Sequence, residues 1–270
     1  MPAEESHRLA ALYDLDNDAP RSAGGPGQED IEWFRALARR VGGPVLELGC
    51  GTGRIAVPIA ADGHRVVGLD RSAAMLDRGR RRAAGANAQV DYREADMRQF
   101  ELEETFRLVL IPFNSFLLLE PEQRSSCLSC IRRHLAAGGR LAVDVFQPDP
   151  HTIAGAEGVV VEEWTRDDPA IGGRVTKFVS SRATVERTTF SFRYDEVGAD
   201  RTVRRHGQSA TLHHLYRREA ELLFAAAGLG VESIHGDYDG SPADEHGSRL
   251  LIVARRGSRW TRERRGGDGR

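Results

Sequence analysis

The sequence predicts an α/β fold: a doubly wound sheet with a smaller antiparallel sheet inserted late in the chain. Apolar runs alternate with amphipathic segments between residues 45 and 146, and strands that alternate with helices form a parallel sheet with helices on both faces. Between residues 159 and 214, β-rich runs follow one another without a convincing helical pattern. A helical segment and two β-rich runs come after them. The prediction is therefore one core domain with one insertion.

The elements of the core follow from local signals taken in order. Residues 1–29 end in a stretch rich in Asn, Pro and Gly and are expected to be a flexible lead-in. A helix is predicted from Asp30 to Gly42, because its apolar residues recur at helical spacing. Strands are then predicted at 45–48, 65–69, 90–93, 108–113, 141–146, 231–238 and 249–254, and helices at 54–61, 72–82, 121–135 and 216–227.

The insertion shows the two-residue period of half-buried strands, with aromatic residues on alternate positions from 190 to 194. We assign residues 148–214 to this inserted antiparallel sheet. The core then comprises residues 30–147 and 215–256. The tail, residues 257–270, is rich in Arg and Gly and has little to bury, so we expect it to be disordered.

The bulk composition limits the class of protein and its partners. The chain has 270 residues and a formal net charge of −2, which argues against a nucleic-acid partner. No apolar run approaches the ~20 residues of a membrane span, and the N-terminus lacks the features of a signal peptide. The three cysteines argue against a disulfide scaffold. We therefore expect a cytoplasmic protein without a membrane partner, and its preference for Arg over Lys is typical of a GC-rich bacterial genome.

The most informative motif is a glycine-rich turn directly after the first predicted strand. Val45–Leu48 runs into Gly49, Gly51 and Gly53, which stand at alternate positions. Glycine is needed where a ligand lies against the backbone or where a tight turn has unusual dihedral angles. The third glycine comes one residue earlier than in the dinucleotide fingerprint, and Glu47 would repel a pyrophosphate while suiting an ammonium group. The turn therefore favours a ligand that carries no phosphate.

Two acidic residues follow at the ends of the next strands. Asp70 ends the second predicted strand, ~20 residues after the turn, where a carboxylate can accept both hydroxyls of a ribose. Asp96 ends the third, where it can accept an adenine amine while Met97 packs on the ring. An aspartate at a strand end is also often only a helix cap. The order and register of Glu47, the glycines, Asp70 and Asp96 together favour a nucleoside site.

Five stretches of the core, LELGCGTGRI, VVGLDRSAAML, READMRQF, FRLVLIPFNSF and HLAAGGRLAVDVF, match one family. Through them, residues 45–147 resemble the class I S-adenosylmethionine (SAM) dependent methyltransferases. The resemblance implies a Rossmann-like, seven-stranded sheet whose last strand runs antiparallel, with SAM as the cofactor. Arg107 stands where the family often has Asp, at a position outside the pocket. The cofactor-binding residues that the resemblance implies are Glu47, Gly49, Cys50, Gly51, Thr52, Gly53, Asp70, Arg71, Met75, Asp96, Met97 and Phe113.

A second resemblance covers more of the chain with shorter motifs. Tyr13–Leu15, Pro112–Phe116 and the late insertion are similar to small-molecule N-methyltransferases, including enzymes that dimethylate amino sugars and enzymes of natural-product pathways. This similarity implies that Tyr13 closes over the cofactor, and that the insertion shapes the acceptor site or makes a homodimer contact. Asn114 and Phe116 are expected to bind the acceptor, although apolar residues at a strand tip are equally typical of core.

The expected function is transfer of a methyl group from SAM to a small-molecule acceptor, with an amine nitrogen favoured, by in-line displacement. The donor is already activated, so the protein mainly aligns the acceptor and excludes water. A small-molecule O-methyltransferase and a SAM-binding module without catalysis stay open as alternatives. Nucleobase-amine methylation is disfavoured, because Ile111–Asn114 reads Ile-Pro-Phe-Asn where Asn-Pro-Pro-Tyr is expected.

A hydroxyl acceptor needs more help from a general base than an amine does. Candidate bases are Tyr13, His134, His206, His213 and His214. His134 ends a predicted helix, where a histidine often only favours the helix dipole. His213 and His214 are neighbours on a strand, so at most one of them faces inward. No metal site is predicted, since the closely spaced cysteine pair lies within a predicted helix and has no second pair to complete it.

Overall fold

The computed structural model describes residues 3–19, 27–147, 158–244 and 247–257, and it contains two β-sheets. No helix in these ranges is long and apolar enough to cross a membrane. The helices are α1 Ala3–Asn17, α2 Glu29–Val41, α3 Ala56–Ala61, α4 Ala73–Gly85, α5 Pro121–His134 and α6 Arg217–Ala226. The strands are β1 Val45–Leu48, β2 Val66–Asp70, β3 Val90–Glu94, β4 Phe106–Ile111, β5 Leu135–Phe146, β6 Val161–Asp168, β7 Gly173–Ala183, β8 Arg187–Val197, β9 Val203–His213, β10 Leu229–His235 and β11 Arg249–Arg256.

The larger sheet has seven strands in the order β10-β11-β5-β4-β1-β2-β3. β1 pairs in parallel with β2 and β4, whereas β11 runs antiparallel to both of its neighbours, β5 and β10. The winding reverses between β1 and β4, and open α/β sheets bind ligands at such a point, beside the carboxyl ends of the strands. The predicted fold class is confirmed, including its antiparallel last strand.

Apolar side chains cover both faces of this larger sheet. Val45–Leu48 is buried throughout, with Leu46 and Leu48 in the core cluster shared with α5 and α6. Val45 belongs to the opposite cluster, which contains apolar residues of α2 and α3. Successive side chains of a strand point to opposite faces, so a strand covered on both sides is a continuous apolar run. That run made β1 recognisable in the sequence.

The smaller sheet consists of four antiparallel strands in the order β6-β7-β8-β9. It follows β5 and precedes α6, as predicted. Trp164, Val175 and Tyr194 are buried together within this sheet, which accounts for the alternating aromatic pattern in the sequence. Residues 148–157 of the predicted insertion and residues 258–270 of the predicted tail lie outside the described residues.

The N-terminal residues correct the prediction of a flexible lead-in, because Ala3–Asn17 forms helix α1. Apolar residues of α1 pack against Trp164 of the smaller sheet. Asp14, which is also on α1, accepts a hydrogen bond from Arg82 of α4 at 2.7 Å. Tertiary packing supplies most of the stability of a helix in a protein, and these partners are too distant in sequence for a local pattern to reveal. The prediction is based on the Gly- and Pro-rich residues 20–26, which lie outside the described residues.

Candidate active site

A cavity of about 470 Å³ lies at the carboxyl ends of the parallel strands, between the glycine turn, α1 and the loop after β4. Its walls combine turn backbone, acidic side chains at two strand ends, and methionine and aromatic side chains. Most of the predicted cofactor-binding residues meet here. The lining residues are Tyr13, Gly49, Gly51, Asp70, Arg71, Ser72, Met75, Ala95, Asp96, Met97, Arg98, Phe113, Ser115, Leu118, Leu119 and Gln123.

The glycines of the turn after β1 all have left-handed backbone angles. Their φ values are +69° at Gly49, +52° at Gly51 and +76° at Gly53, which other residues rarely adopt. The amides of Gly49 and Cys50 donate to the Leu69 carbonyl at 2.8 and 3.0 Å, so the turn is fixed to β2. A Cβ added to Gly51 would meet nothing within 4 Å. Because Gly51 also lines the cavity, a ligand can approach its backbone directly.

Gly53 has a different reason to be glycine. A Cβ there would lie 2.0 Å from the hydroxyl oxygen of Tyr92, and Gly53 is not among the residues that line the cavity. The packing of Tyr92 therefore requires glycine at position 53, and a contact of Gly53 with the cofactor stays a prediction.

Asp70 lies at the tip of β2, where its carboxylate is held by backbone donors. It accepts hydrogen bonds from the amides of Gly51 at 2.8 Å and Ser72 at 2.9 Å. Burial raises the pKa of the Asp70 carboxyl, and these amides oppose the shift. A carboxylate has about four acceptor sites, so the group retains capacity towards the cavity that it lines. Its position agrees with the predicted role as acceptor for ribose hydroxyls.

Asp96 and Met97 line the cavity beyond β3, next to Met75. The Asp96 carboxylate accepts from Arg98, with Nη2 at 2.5 Å. This pairing lowers the pKa of Asp96, so the group is ionised at neutral pH. Arg71 lies further out, 3.8 Å from the same carboxylate. The predicted bond from Asp96 to an adenine amine would therefore be shared with an existing ion pair.

Three predicted cofactor residues lie behind the cavity wall. Glu47 is only 2% exposed, and its Oε2 has no hydrogen-bond partner within the described part of the chain. Burial raises the pKa of Glu47 well above its usual range, and nearby Asp70 raises it further. Thr52 donates to Asp14 at 2.6 Å, and Cys50 is packed among apolar side chains. The side chains of Thr52 and Cys50 thus contribute to the packing around the turn, and their contact with the cofactor stays a prediction.

Tyr13 reaches the cavity from α1, the position expected of a side chain that closes over a cofactor. Burial raises the pKa of its phenol well above the usual range. A phenol with a raised pKa keeps its proton at neutral pH, so Tyr13 is suited to donate a hydrogen bond and poorly suited to act as a base.

Three residues of the loop after β4 are predicted to contact cofactor or acceptor, and only one of them lines the cavity. Phe113 lines the cavity. Asn114 accepts a hydrogen bond from the Phe146 amide at 2.6 Å, and Phe116 is fully buried with its ring 6.4 Å from that of Phe224. Asn114 and Phe116 therefore support the loop from within, which corrects their predicted contact with the acceptor.

His134 and His206 also lie away from the cavity. His134 is buried at the end of α5, where its Nε2 accepts the Leu102 amide at 2.9 Å. His206 lies on β9 with its Nε2 3.3 Å from a carboxylate oxygen of Glu196. Neither side chain is placed in the cavity wall, so this geometry gives no support to their predicted role as bases.

His213 and His214 mark the end of the smaller sheet. His214 is buried, with its Nε2 2.8 Å from the Thr188 hydroxyl and its Nδ1 3.1 Å from the Val185 carbonyl. The carbonyl of His213 accepts from the buried guanidinium of Arg124. As predicted, one of the two neighbours faces inward, but it faces the sheet junction and does not line the cavity. No described histidine is among the residues that line the cavity.

The sequence interpretation missed Arg54, which directly follows the glycine turn. Its buried guanidinium binds the Asp30 carboxylate and the carbonyls of Asn17 and Gly27. The same group lies over the Phe113 ring, with its carbon 5.6 Å from the ring centre. Arg54 thus joins the end of α1 and the start of α2 to the cavity wall. The sequence signal that could have indicated this role is an arginine placed between the glycine turn and an apolar helix.

A doubly wound sheet with a glycine turn and acidic residues at the next strand tips defines an α/β protein of the nucleoside-binding type. A methyltransferase-domain family matches residues 45–139. The chain is 30% identical over 234 residues to the cypemycin N-terminal methyltransferase of a Streptomyces species. The aligned region covers 86% of this chain and 90% of that protein. The chain belongs to the class I SAM-dependent methyltransferases, and its cofactor is SAM.

Two further comparisons agree with this family. The chain is 29% identical over 243 residues to the dTDP-3-amino-3,6-dideoxy-alpha-D-glucopyranose N,N-dimethyltransferase of Streptomyces fradiae, covering 88% of this chain and 90% of that one. The solved structure of the CcbJ methyltransferase from Streptomyces caelestis superposes with a TM-score of 0.74 at 25% identity, covering 94% of this chain and 98% of that one. The match therefore includes the inserted sheet as well as the core.

Proposed function

We propose that this enzyme transfers a methyl group from SAM to an amine nitrogen of a small molecule. The observation that carries the proposal is the cavity itself: open turn backbone at Gly51, the anchored carboxylate of Asp70, and the side chains of Asp96 and Met97 converge on one space. The Oε2 atom of Glu47, which has no hydrogen-bond partner within the described residues, lies behind it. This donor and acceptor set fits a nucleoside joined to an amino acid better than a dinucleotide.

Each of these residues has a distinct role in the proposed complex. Asp70 would accept the ribose hydroxyls, and Met75 and Met97 would pack about the adenine. Glu47, whose buried Oε2 has no partner within the described residues, would pair with the ammonium of the methionine moiety, since an unsatisfied buried oxygen is costly. SAM supplies a methyl group that is already activated on a sulfonium. The protein's task is to hold the acceptor nitrogen in line and to exclude water.

The side chains that line the described part of the cavity favour nitrogen over oxygen. Neither histidine nor lysine occurs among the described residues that line the cavity, and the Tyr13 phenol has a raised pKa. A hydroxyl must lose its proton as it attacks, whereas an amine can arrive with its lone pair free. An amine acceptor therefore makes the smallest demand on the side chains that are present.

The relatives point the same way. One is named for methylation at an N-terminus and another for N,N-dimethylation of an amino sugar. Both names describe nitrogen acceptors. We therefore place an amino sugar or another small molecule with a free amine first among the acceptor classes.

The proposal is tested by incubating the purified protein with SAM and paired acceptors. Each pair consists of an amino compound, such as an amino-sugar nucleotide or a short peptide with a free N-terminus, and its hydroxyl counterpart. Formation of S-adenosylhomocysteine and the mass of the product are measured. Methylation of the amines alone supports the proposal. Methylation of the hydroxyl compounds alone shows an O-methyltransferase, and cofactor binding without turnover on any pair favours a module without catalysis.

The cofactor assignment is tested by Asp70→Ala. The affinity for S-adenosylhomocysteine, measured by calorimetric titration, is expected to fall about 10- to 100-fold, the effect of losing hydrogen bonds to a charged group. Asp91→Ala is the matched control, because Asp91 is an exposed carboxylate on the adjacent strand. Its affinity should match the wild type, and NADH should not bind. Equal binding by the two variants would contradict the role of Asp70.

A further inference from the structure

A buried carboxylate behind the cavity connects three separate parts of the chain. Asp144 on β5 is fully buried and does not line the cavity. Its side chain accepts hydrogen bonds from the Phe113 amide at 3.1 Å, the Tyr238 hydroxyl at 2.8 Å and the Arg249 guanidinium at 2.5 Å. Its main-chain oxygen accepts from the Asn114 amide at 3.0 Å. Asp144 thus holds two successive residues of the loop after β4.

These two residues have a costly backbone conformation. Phe113 has a φ of +52° and Asn114 a φ of +65°, in the left-handed region that non-glycine residues rarely occupy. Such conformations persist where the surroundings over-determine them, and they gather at functional sites. The bend places the Phe113 side chain in the cavity wall, beneath the guanidinium of Arg54. The hydrogen bonds that Asp144 accepts therefore restrain this part of the wall, together with the bond from the Phe146 amide to Asn114.

We propose that Asp144 is a positioning residue for methyl transfer that acts through Phe113. The hydrogen bond from the Tyr238 hydroxyl determines how firmly Asp144 holds the Phe113 backbone. Tyr238 lies between β10 and β11, so the inference couples the last hairpin of the sheet to the cavity. It depends on the proposed function only in taking this cavity as the cofactor site. Asp144 and Tyr238 touch no reacting atom, and their contribution is the placement of the aromatic ring.

Tyr238→Phe is the sharpest variant for a test. The Arg249 guanidinium carbon lies 4.6 Å from the centre of the Tyr238 ring, and a phenylalanine preserves this packing while removing only the hydroxyl. Tyr216→Phe is the matched control. Its hydroxyl donates to the Val185 carbonyl at 3.0 Å, so the chemistry lost is similar, but the bond lies at the smaller sheet.

The first measurement is hydrogen–deuterium exchange of the cofactor-free protein. In Tyr238→Phe, the amides of Phe113 and Asn114 should exchange about fivefold faster, as expected when one hydrogen bond of a restraint is lost. Tyr216→Phe should leave them unchanged. Unaltered exchange at these two amides in Tyr238→Phe would overturn the proposal.

The second measurement is a double-mutant cycle on S-adenosylhomocysteine affinity. Tyr238→Phe should weaken binding about threefold in the wild-type background and have no further effect in a Phe113→Leu background, because residues that act through one another are not additive. Additive effects would show that Tyr238 acts on binding by another route and would overturn the proposal. Neither readout requires an acceptor, so an error in the proposed amine substrate would leave both outcomes interpretable.

Discussion

Tyr92 shows how one buried side chain restricts several positions to glycine. A Cβ added at Gly53 would lie 2.0 Å from the Tyr92 hydroxyl oxygen, and one added at Gly79 would lie 2.8 Å from the ring. The hydroxyl is buried and is one of the few described side-chain groups without a hydrogen-bond partner. The spacing of the glycine turn could be read from the sequence. The reason for its third glycine could not, because Tyr92 comes from a different strand.

This packing predicts a rescue. Gly53→Ala should lower the free energy of unfolding by about 3 kcal/mol, through overpacking and the left-handed backbone. Tyr92→Phe alone should change it by less than about 1 kcal/mol, since the lost hydroxyl has no partner. The double variant should recover part of the loss, because the nearest clashing atom is gone. Urea unfolding of the four proteins provides the measurement, and strictly additive values would contradict the explanation.

Helix α1 holds the core and the inserted sheet together through two aspartates. Asp14 accepts hydrogen bonds from Thr52 at 2.6 Å and Arg82 at 2.7 Å on the core side. Asp16 accepts from Trp164 at 2.8 Å and from Lys177 on the inserted sheet. Strands buried on both faces have a pattern that a sequence reveals, whereas α1 is defined by partners from α4, from the glycine turn and from three strands of the inserted sheet. That difference explains why the core strands were predicted and α1 was not.

The contribution of α1 contacts to the free energy of unfolding can be measured by replacing two nearby carboxylates, Asp14 and Asp18. Asp14 is 8% exposed, and Asp14→Ala would leave several donors without an acceptor. We expect a loss of about 2 kcal/mol, between the values for buried and exposed ion pairs. Asp18→Ala removes a more exposed partner of Arg82 and should cost less than about 1 kcal/mol. Urea unfolding separates the two variants, and an equal cost would show that burial of Asp14 adds nothing.

At the scale of the whole molecule, the return from the inserted sheet to the core depends on two buried polar side chains. Arg124 of α5 donates to the carbonyls of His213 and His214. His214 in turn holds the hairpin between β7 and β8 through Thr188 and Val185. The position of the insertion could be predicted from its change of pattern. This junction could not, because an arginine on an amphipathic helix is normally assigned to the exposed face.

The junction makes stability depend on pH. Burial lowers the pKa of His214, and the nearby charge of Arg124 lowers it further. As the pH falls below ~6.5, the unfolded chain takes up this proton before the folded one does, so the free energy of unfolding falls until the folded pKa is reached. His214→Gln should remove this part of the pH dependence. Urea unfolding at pH 7.5 and 5.5 tests it, and identical pH dependence in both proteins would exclude His214 as a cause.

The contacts of α1 also have a consequence in time. Asp16 and Trp164 are 148 residues apart, and Arg8 and Glu196 are 188 residues apart. A ribosome therefore completes α1 long before it makes the inserted strands that bind Asp16 and Arg8. Since folding proceeds with synthesis from the N-terminus, β1 to β5 can pair and α1 can reach α4 through Asp14 and Arg82 before the inserted sheet has been made. The side of α1 that faces the inserted sheet therefore stays exposed to solvent until Glu196 has been made, and it gains those contacts late in synthesis.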